Sequence, residues 1–313
     1  MKKNIPILFC VLILFFFGVL CGSFVLPPTQ WIGNPIFELR ALRMLAACII
    51  GGSLALSGMA FQAALRNPLA EPFILGISSG ASVGAALAFI LGLKSLWLYS
   101  VPCMAFAGAF IVFSLVLWIS RKNADNSETL LLSGVIVSTI TSGILMFLLS
   151  FAQNDELAGL TWWMLGDLQG VEPDFLIPAG LLALCCLLLF QYLAGNINVL
   201  SLGRERAHYL GVNPKQLLLL LIIPAAMLAA STVVLAGMIG FCGLVIPHIV
   251  RRIYGCNHKK IIGTIFLWGA GFLMLSDIIS RSIWPEREIP IGVLTALIGG
   301  PVFLWILNKK AKV

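Results

Sequence analysis

Charged residues are scarce in this sequence of 313 residues. They make up 11% of it, while hydrophobic residues make up 60% and the mean hydropathy is +1.02. Soluble domains carry roughly 25% charged residues, so a water-soluble protein of this composition would expose large apolar patches that aggregate or mark an interface. The shortage of charge excludes an ordinary soluble fold and predicts a protein whose solvent is a lipid bilayer.

Several patterns that carry chemistry are also missing. No G-x-x-x-x-G-K-[ST] segment is present, which excludes that type of nucleotide-binding loop. The eight cysteines form no C-x-x-C pair, and nearly all lie in apolar runs, where we expect them to pack as small hydrophobic residues. The three histidines are too scattered to form a ligand cluster. We therefore expect no catalytic residue, no metal site and no cofactor in this chain.

The net charge of +7 does not indicate nucleic acid as a partner. The Lys and Arg residues lie in short loops between apolar runs, a distribution that favours contact with anionic lipid. At the N-terminus, Lys2 and Lys3 precede an apolar stretch at 5–26. That stretch is longer than the roughly 7–15 apolar residues of a signal peptide, so we interpret it as the first membrane span.

Runs without charge mark the candidate membrane spans. A charge at the bilayer centre costs about 2.5–3.5 kcal/mol, and a spanning helix needs about 20 apolar residues. Nine such runs lie at residues 4–37, 44–65, 72–93, 95–120, 129–154, 175–203, 216–250, 261–276 and 289–308. The run 216–250 is too long for one span, and its central glycines and Pro247 predict a break. We predict an all-α integral membrane protein with ten transmembrane helices, forming a single domain over residues 1–313.

The distribution of positive charge predicts the orientation. With the N-terminus inside, 15 of the 20 Lys and Arg residues lie on the cytoplasmic side, as the positive-inside rule requires. Ten is an even number, so both termini are predicted to be cytoplasmic. A short echo between residues 56–59, followed by Pro72, and residues 235–238, followed by Pro247, gives the chain weak inverted-repeat character.

Three segments at predicted membrane edges are rich in polar residues, glycine or proline. In segment 66–84, prolines end the second span and begin the third, and small residues give the third a face suited either to close packing or to a passage. Segment 202–214 predicts a short cytoplasmic amphipathic helix that either lies on lipid headgroups or docks a partner. Its apolar side would hold Leu202, Ala207 and Leu210, and Gly211 would be its C-terminal cap. Segment 240–255 predicts a short, broken span.

At these segments the chain resembles the FecCD-type family, the permease subunits of ABC importers for iron-siderophores, haem and cobalamin. The family motifs N-P-L-A-[DE]-P and L-G-x-S-x-G-A match residues 67–72 and 75–81. L-G-x-x-x-A-x-x-L-G matches 202–211, and F-x-G-L-x-x-P-H-x-x-R matches 241–251. The closing motif E-x-P-[IV]-G-x-x-T-A-x-x-G-x-P-x-F matches 288–303. The motifs follow in order over nearly the whole chain.

The resemblance implies a multi-pass permease of the cytoplasmic (inner) membrane. Its expected partners are cytoplasmic ABC ATPases, an extracytoplasmic substrate-binding protein, membrane lipid, and a second copy of the permease or a paralogue. ATP would be hydrolysed by the partner, so the chain itself would be no enzyme. The ligand stays open among siderophores, haem, cobalamin and oxyanions.

The resemblance also implies roles for particular residues. Arg40, Arg43 and Arg281 would meet acidic residues on the binding protein. Asn67 and Leu69 would lie near the cytoplasmic closure of the path. The helix that couples to the ATPase would contain Leu202, Gly203, Arg204, Glu205, Arg206, Ala207, Leu210 and Gly211.

Two other functional classes are alternatives to the importer. An ion-coupled secondary transporter usually keeps charged groups at membrane depth, and Asp277 is the one candidate. Its position toward the outer end of a span favours a capping or packing role. A membrane-embedded enzyme would need convergent His, Asp or Ser/Lys groups inside the bilayer, and the sequence shows none.

Overall fold

The computed structural model describes residues 4–20, 34–121, 127–284 and 288–310. Five residues that contributed to the predicted orientation lie outside these ranges: Lys2, Lys3, Lys122, Arg287 and Lys312. The described residues form thirteen α-helices and no strand. The helices are α1 (Asn4–Leu20), α2 (Pro35–Leu65), α3 (Ile77–Ile90), α4 (Leu93–Leu96), α5 (Ser100–Ser120), α6 (Ser127–Leu149), α7 (Asn154–Leu165), α8 (Pro173–Leu200), α9 (Arg204–Tyr209), α10 (Pro214–Ala236), α11 (Cys242–Tyr254), α12 (His258–Ile283) and α13 (Ile291–Lys310).

The lengths and hydropathies of these helices are those of a membrane protein. In the described part of the chain, six helices are long and apolar enough to span a bilayer: α2, α5, α6, α8, α10 and α12. Shorter apolar helices are formed by α1, α3 and α13. The all-helical membrane fold is thereby confirmed, while the count of ten spans and the cytoplasmic termini stay predictions.

The long apolar run 216–250 is divided into two helices, as the sequence predicted. Helix α10 ends at Ala236, and α11 begins at Cys242. Gly237 follows α10 with φ +68, a conformation that favours glycine. A side chain there would lie 2.1 Å from the carbonyl oxygen of Trp163. The break therefore lies at the glycine, while Pro247 is accommodated inside α11.

Helix α2 forms the centre of the fold. Its most apolar stretch of 18 residues is 83% buried, and the helix packs on α12, α10 and α11. A Cβ on Gly51 would lie 2.3 Å from the Gly269 carbonyl oxygen of α12, and one on Gly58 would lie 1.9 Å from the Gly243 carbonyl oxygen of α11. These glycines let the backbones touch. The segments 56–59 and 235–238, which resemble each other in sequence, differ in local structure, because Gly58 lies inside a helix and Gly237 follows one. The inverted repeat stays a prediction.

The small residues of α3 serve close packing. A Cβ on Gly80 would lie 2.5 Å from the Gly108 carbonyl oxygen of α5, and one on Gly84 would lie 2.0 Å from the Met104 carbonyl oxygen. Of the two uses considered for this face, close approach of helices is confirmed at these two positions. Pro72 begins a short 3-10 helix (Pro72–Leu75), so α3 starts five residues after it, at Ile77.

Candidate functional site

The predicted partner-docking helix is shorter than expected. Helix α9 contains six residues, Arg204–Tyr209, instead of the ten residues of the matched motif. It is joined to α8 through Gly203, whose φ of +119 suits glycine. We call the end of the molecule that carries α9 the inner end and the opposite one the outer end, following the predicted orientation.

Helix α9 ends in a Schellman motif. The Val212 amide donates to the Ala207 carbonyl at 3.0 Å, and the Gly211 amide donates to the His208 carbonyl at 3.0 Å. This pair of bonds requires a left-handed backbone conformation at the first residue beyond the helix cap. That residue is Gly211, which has φ +81. The predicted cap conformation of Gly211 is confirmed. Asn213 then caps α10 by accepting from two backbone amides, so α9 is tightly framed.

The apolar residues of this segment do not share one face, and that part of the prediction is wrong. Ala207 is fully buried, while Leu202 and Leu210 are 54% and 62% exposed. A six-residue helix is too short to align residues that lie outside its ends. The exposed side of α9 instead presents Tyr209, at 87% exposure, next to Leu210.

A groove of about 570 Å³ lies between α9 and the start of α10. Arg204 and Glu205 line it from α9, and Lys215 lines it from α10. Glu205 and Arg206 are exposed. The inner end therefore offers an aromatic and an aliphatic side chain beside a groove with charges at its walls, an arrangement that suits contact with another protein.

The outer end holds a cluster of ion pairs. Arg43 Nε lies 2.6 Å from Asp277 Oδ1, and Arg43 Nη2 lies 2.7 Å from Glu288 Oε2. Arg281 Nε lies 3.1 Å from Asp277 Oδ2. The Asp277 side chain is 0% exposed, so these two arginines compensate its buried charge. Asp277 is thus held by two ion pairs near the end of α12, and its capping or packing role stays a prediction.

The three arginines proposed for docking differ in their contacts. Arg40 is 8% exposed and donates from Nη1 to the Leu20 carbonyl at 3.3 Å. Arg281 is 5% exposed and donates from Nη2 to the Gly18 carbonyl at 2.5 Å. Both arginines thus hold the end of α1. The Arg43 side chain is 12% exposed and is itself paired with Asp277 and Glu288, so the docking role of the set stays a prediction.

Arg43 and Glu288 line an outer cavity of about 760 Å³. Burial raises the pKa of Glu288, but hydrogen bonds from Arg43 and Gln169 and the charges of Arg43 and Arg281 outweigh it and hold the pKa below its ordinary value of 4.5. Other residues that line the cavity include Trp162, Trp163, Asp167 and Glu172. In the sequence, Glu288 stood out only as part of a motif. Its position beside an apolar span was the available signal, because a charge at such a position needs a partner of opposite charge.

The turn after α2 contains the residues proposed for the inner closure of the path. Asn67 Oδ1 accepts from the Leu69 amide at 2.9 Å, an Asx turn that follows Arg66 at φ +52. Leu69 is 48% exposed. The geometry places the two residues side by side at the end of a core helix, and their gating role stays a prediction.

A polar contact between α2 and α11 was not predicted from the sequence. Gln62 Nε2 donates to the carbonyls of Gly243 and Leu244 at 3.2 and 3.3 Å, and Gln62 Oε1 accepts from Arg251 Nη2. One buried amide thereby joins the first turn of α11 to its last. A lone glutamine in an apolar run was the available signal, because a buried amide requires partners.

Possible metal ligands are spread apart in the described part of the chain. Within residues 4–20, 34–121, 127–284 and 288–310, no three His, Cys, Asp or Glu side chains lie close enough together to hold a metal ion. What the geometry does assemble is a bundle of apolar helices with one polar cluster at each end.

The family follows from comparison with known proteins. Residues 10–309 match the FecCD transport family, and the chain belongs to it. The vitamin B12 import system permease protein BtuC of Yersinia enterocolitica is 36% identical over 297 residues, which cover 93% of this chain and 88% of that protein. The hemin transport system permease protein HmuU of Yersinia pestis is 36% identical over 276 residues, covering 87% and 83% of the two chains.

Solved structures agree with this membership. An inward-facing metal-chelate type ABC transporter superposes with a TM-score of 0.89 at 31% identity, covering 98% of this chain and 99% of the other. PsaBC from Streptococcus pneumoniae has a TM-score of 0.56 at 17% identity, over 85% and 90% of the two chains, and shares the fold. The protein is thus a multi-pass permease of the ABC importer type, the subunit that is not itself catalytic.

Proposed function

We propose that this chain carries an iron-siderophore or related metal chelate, with haem and cobalamin as the other candidates, across the cytoplasmic membrane. It acts as the permease of a binding-protein-dependent importer, together with a second permease copy or a paralogue. The observation that carries the proposal is α9, whose exposed Tyr209 and Leu210 lie beside a groove in a chain matched nearly end to end by import permeases.

The inner end is the proposed seat of the ATPase. The coupling segment contains α9 and its flanking residues Leu202, Gly203, Leu210 and Gly211. The Schellman cap fixes the direction in which Leu210 points, and the charges of Arg204 and Glu205 line the adjoining groove. A short helix held at both ends can transmit a displacement to its neighbours without first unfolding. Arg206 supplies a further exposed charge for the rim of the contact.

The outer end is the proposed dock of the binding protein. Arg43 lines the outer cavity and would contact acidic residues of that partner, together with Arg281 of the same cluster and Arg40, which holds the end of α1. Asn67 and Leu69 are proposed to close the path near the inner end. The exposed Asx turn at the end of the central helix α2 supports this gating role.

An ion-coupled secondary transporter is the alternative function, and the geometry of Asp277 disfavours it. Both carboxylate oxygens lie in ion pairs, with Arg43 and with Arg281. A coupling carboxylate must exchange a proton or cation during transport. Here that exchange would leave two arginine charges without their buried counter-ion.

Reconstitution in liposomes tests the proposal. The permease is assembled with the ATPase and binding protein encoded beside it, and uptake of a labelled ferric siderophore, haemin and cyanocobalamin is measured with and without ATP on the ATPase side. We expect uptake of one of the three to require ATP and the binding protein. Uptake by the permease alone, driven by an ion gradient, would contradict the proposal.

Charge reversals test the separation of the two faces. Arg204→Glu should weaken association with the ATPase and leave docking of the binding protein unchanged, whereas Arg43→Gln should do the converse. Because Arg43 is also a counter-ion of the buried Asp277, the variants are compared at equal amounts of folded protein, checked by melting temperature. Docking through Arg43 should also weaken as salt screens the charges. Arg121→Glu, at an exposed arginine after α5, serves as the control. Identical losses for the two test variants would show that the faces are wrongly assigned.

A further inference from the structure

The last turns of α8 lie against the beginning of α12. Gln191, Gly195 and Asn198 share one face of α8, because they are spaced by four and three residues. Gln191 Nε2 donates to the Lys259 carbonyl at 3.0 Å, and a Cβ on Gly195 would lie 3.3 Å from Lys259 Cε. The two helices therefore meet along a continuous strip that leads toward α9.

Asn198 is the last residue of this strip, and both the oxygen and the nitrogen of its side-chain amide form hydrogen bonds there. Its Oδ1 accepts from the His258 amide at 2.9 Å and lies 2.9 Å from His258 Nδ1. Its Nδ2 donates to Asn257 Oδ1 at 3.0 Å. Asn257 is the N-cap of α12, since its Oδ1 also accepts from the Lys259 amide at 3.1 Å. One side chain thus binds the first residues of α12 at three atoms.

The segment between Asn198 and α9 contains continuous hydrogen-bonded turns. Ser201 Oγ donates to the Asn198 carbonyl at 2.6 Å, and the Gly203 amide donates to the Leu200 carbonyl at 3.1 Å. The Ala207 amide inside α9 in turn donates to the Gly203 carbonyl at 2.9 Å. Hydrogen bonds thus lie on both sides of Gly203 in the three-residue connection between α8 and α9.

Helix α12 extends from this contact to the outer end. Its 26 residues span about 39 Å at 1.5 Å per residue. Gly269, near its middle, lies in backbone contact with Gly51 of α2, and Asp277 and Arg281 near its end belong to the ion-pair cluster. The two proposed partner sites are therefore connected to opposite ends of one helix.

We propose that Asn198 is a positioning residue for energy coupling, which fastens the end of α8 to the start of α12 so that α9 and α12 move as one body. The inference rests on the proposed function, in which α9 receives the ATPase. In this proposal Asn198 acts through α12 and not by contact with the ATPase or the ligand. Its role is to keep movement of α9 from being absorbed between α8 and α12.

A matched pair of substitutions tests the proposal in the complete importer. Asn198→Ala removes the amide contacts, and Asn196→Ala changes an exposed asparagine two residues earlier on the same helix. The readouts are substrate taken up per ATP hydrolysed and the amount of ATPase bound. We expect Asn198→Ala to lower the uptake per ATP at least about fivefold, the low end of allosteric coupling. ATPase binding should be unchanged, and Asn196→Ala should behave as the wild type.

A cross-link distinguishes positioning from mere stabilisation. In a chain without its native cysteines, Asn198→Cys with Asn257→Cys should show the same low uptake per ATP. A short thiol-reactive linker between the two cysteines should restore it, because it replaces the lost connection. Failure of the linker to restore coupling, or equal ratios in the two alanine variants, would overturn the inference. Failure of the wild-type complex to couple at all would instead overturn the proposed function.

Discussion

The two ends of α12 are held by different chemistry. At the outer end, Asp277 is held by the charged side chains of Arg43 and Arg281. At the inner end, Asn257 and His258 are held by the neutral amide of Asn198. A buried charge left without its counter-ion costs about 3–5 kcal/mol, whereas a neutral hydrogen bond contributes about 1 kcal/mol. The outer end is therefore suited to a permanent structure, and the inner end to a contact whose removal leaves the fold intact.

The strongest test of this comparison is Asp277→Asn. The substitution leaves Arg43 and Arg281 without their shared counter-ion, so we expect it to destabilise the protein by about 3–5 kcal/mol. Thermal unfolding of the purified protein, together with its yield in membranes, measures the loss. Asp155→Asn, at an exposed residue near the start of α7, is the control and should change little. A wild-type melting temperature for Asp277→Asn would show that the cluster contributes no stability.

Gln62→Ala should have a smaller effect of the same kind. It leaves the carbonyls of Gly243 and Leu244 and one nitrogen of Arg251 without their partner, at a cost of about 1–3 kcal/mol. Hydrogen exchange in α11 should rise, because α11 loses the amide that joins its first turn to its last. Gln216→Ala, at an exposed position on α10, is the control. Unchanged exchange in α11 would show that packing alone holds it.

Gly211→Val should affect partner binding more than stability. Its φ of +81 is strained for a branched side chain, and a Cβ there would meet no other atom within 4 Å. The Schellman cap should loosen at a cost of about 1 kcal/mol or slightly more. Pull-down with the ATPase should weaken, while the melting temperature falls little. Gly170→Val, also in open space but in the loop before α8, is the control, and a normal pull-down of Gly211→Val would count against the coupling role.

Glu288→Gln should show the smallest effect, and one that depends on pH. Because the pKa of Glu288 lies below its ordinary value of 4.5, its ionised form stabilises the folded protein above that pH. That contribution is lost as the pH falls through the lowered pKa. We expect the wild type to melt at a higher temperature than Glu288→Gln at pH 7, and the difference to vanish in acid. Glu172→Gln, in the same cavity, is the control; a difference independent of pH would contradict the assignment.

The features that the sequence predicted well were those written in local composition. The break after Ala236 follows from a glycine, and the close packing of α3 follows from small residues at helical spacing. The cap at Gly211 was predicted for the same reason, since a left-handed residue favours glycine. The length of α9 and the sides on which Leu202 and Ala207 lie were predicted wrongly, because they depend on what the helix packs against.

The sequence alone determined that this protein lies in a lipid bilayer and to which family it belongs. An apolar composition cannot cover a water-facing surface, and ordered motifs carry family membership without any knowledge of contacts. Only the tertiary structure decided the partners of its polar residues. Asp277 pairs with Arg43 across 234 residues of chain, and Asn198 pairs with Asn257 across 59. Such pairs leave no periodic pattern, because their formation depends on how whole helices lie against one another.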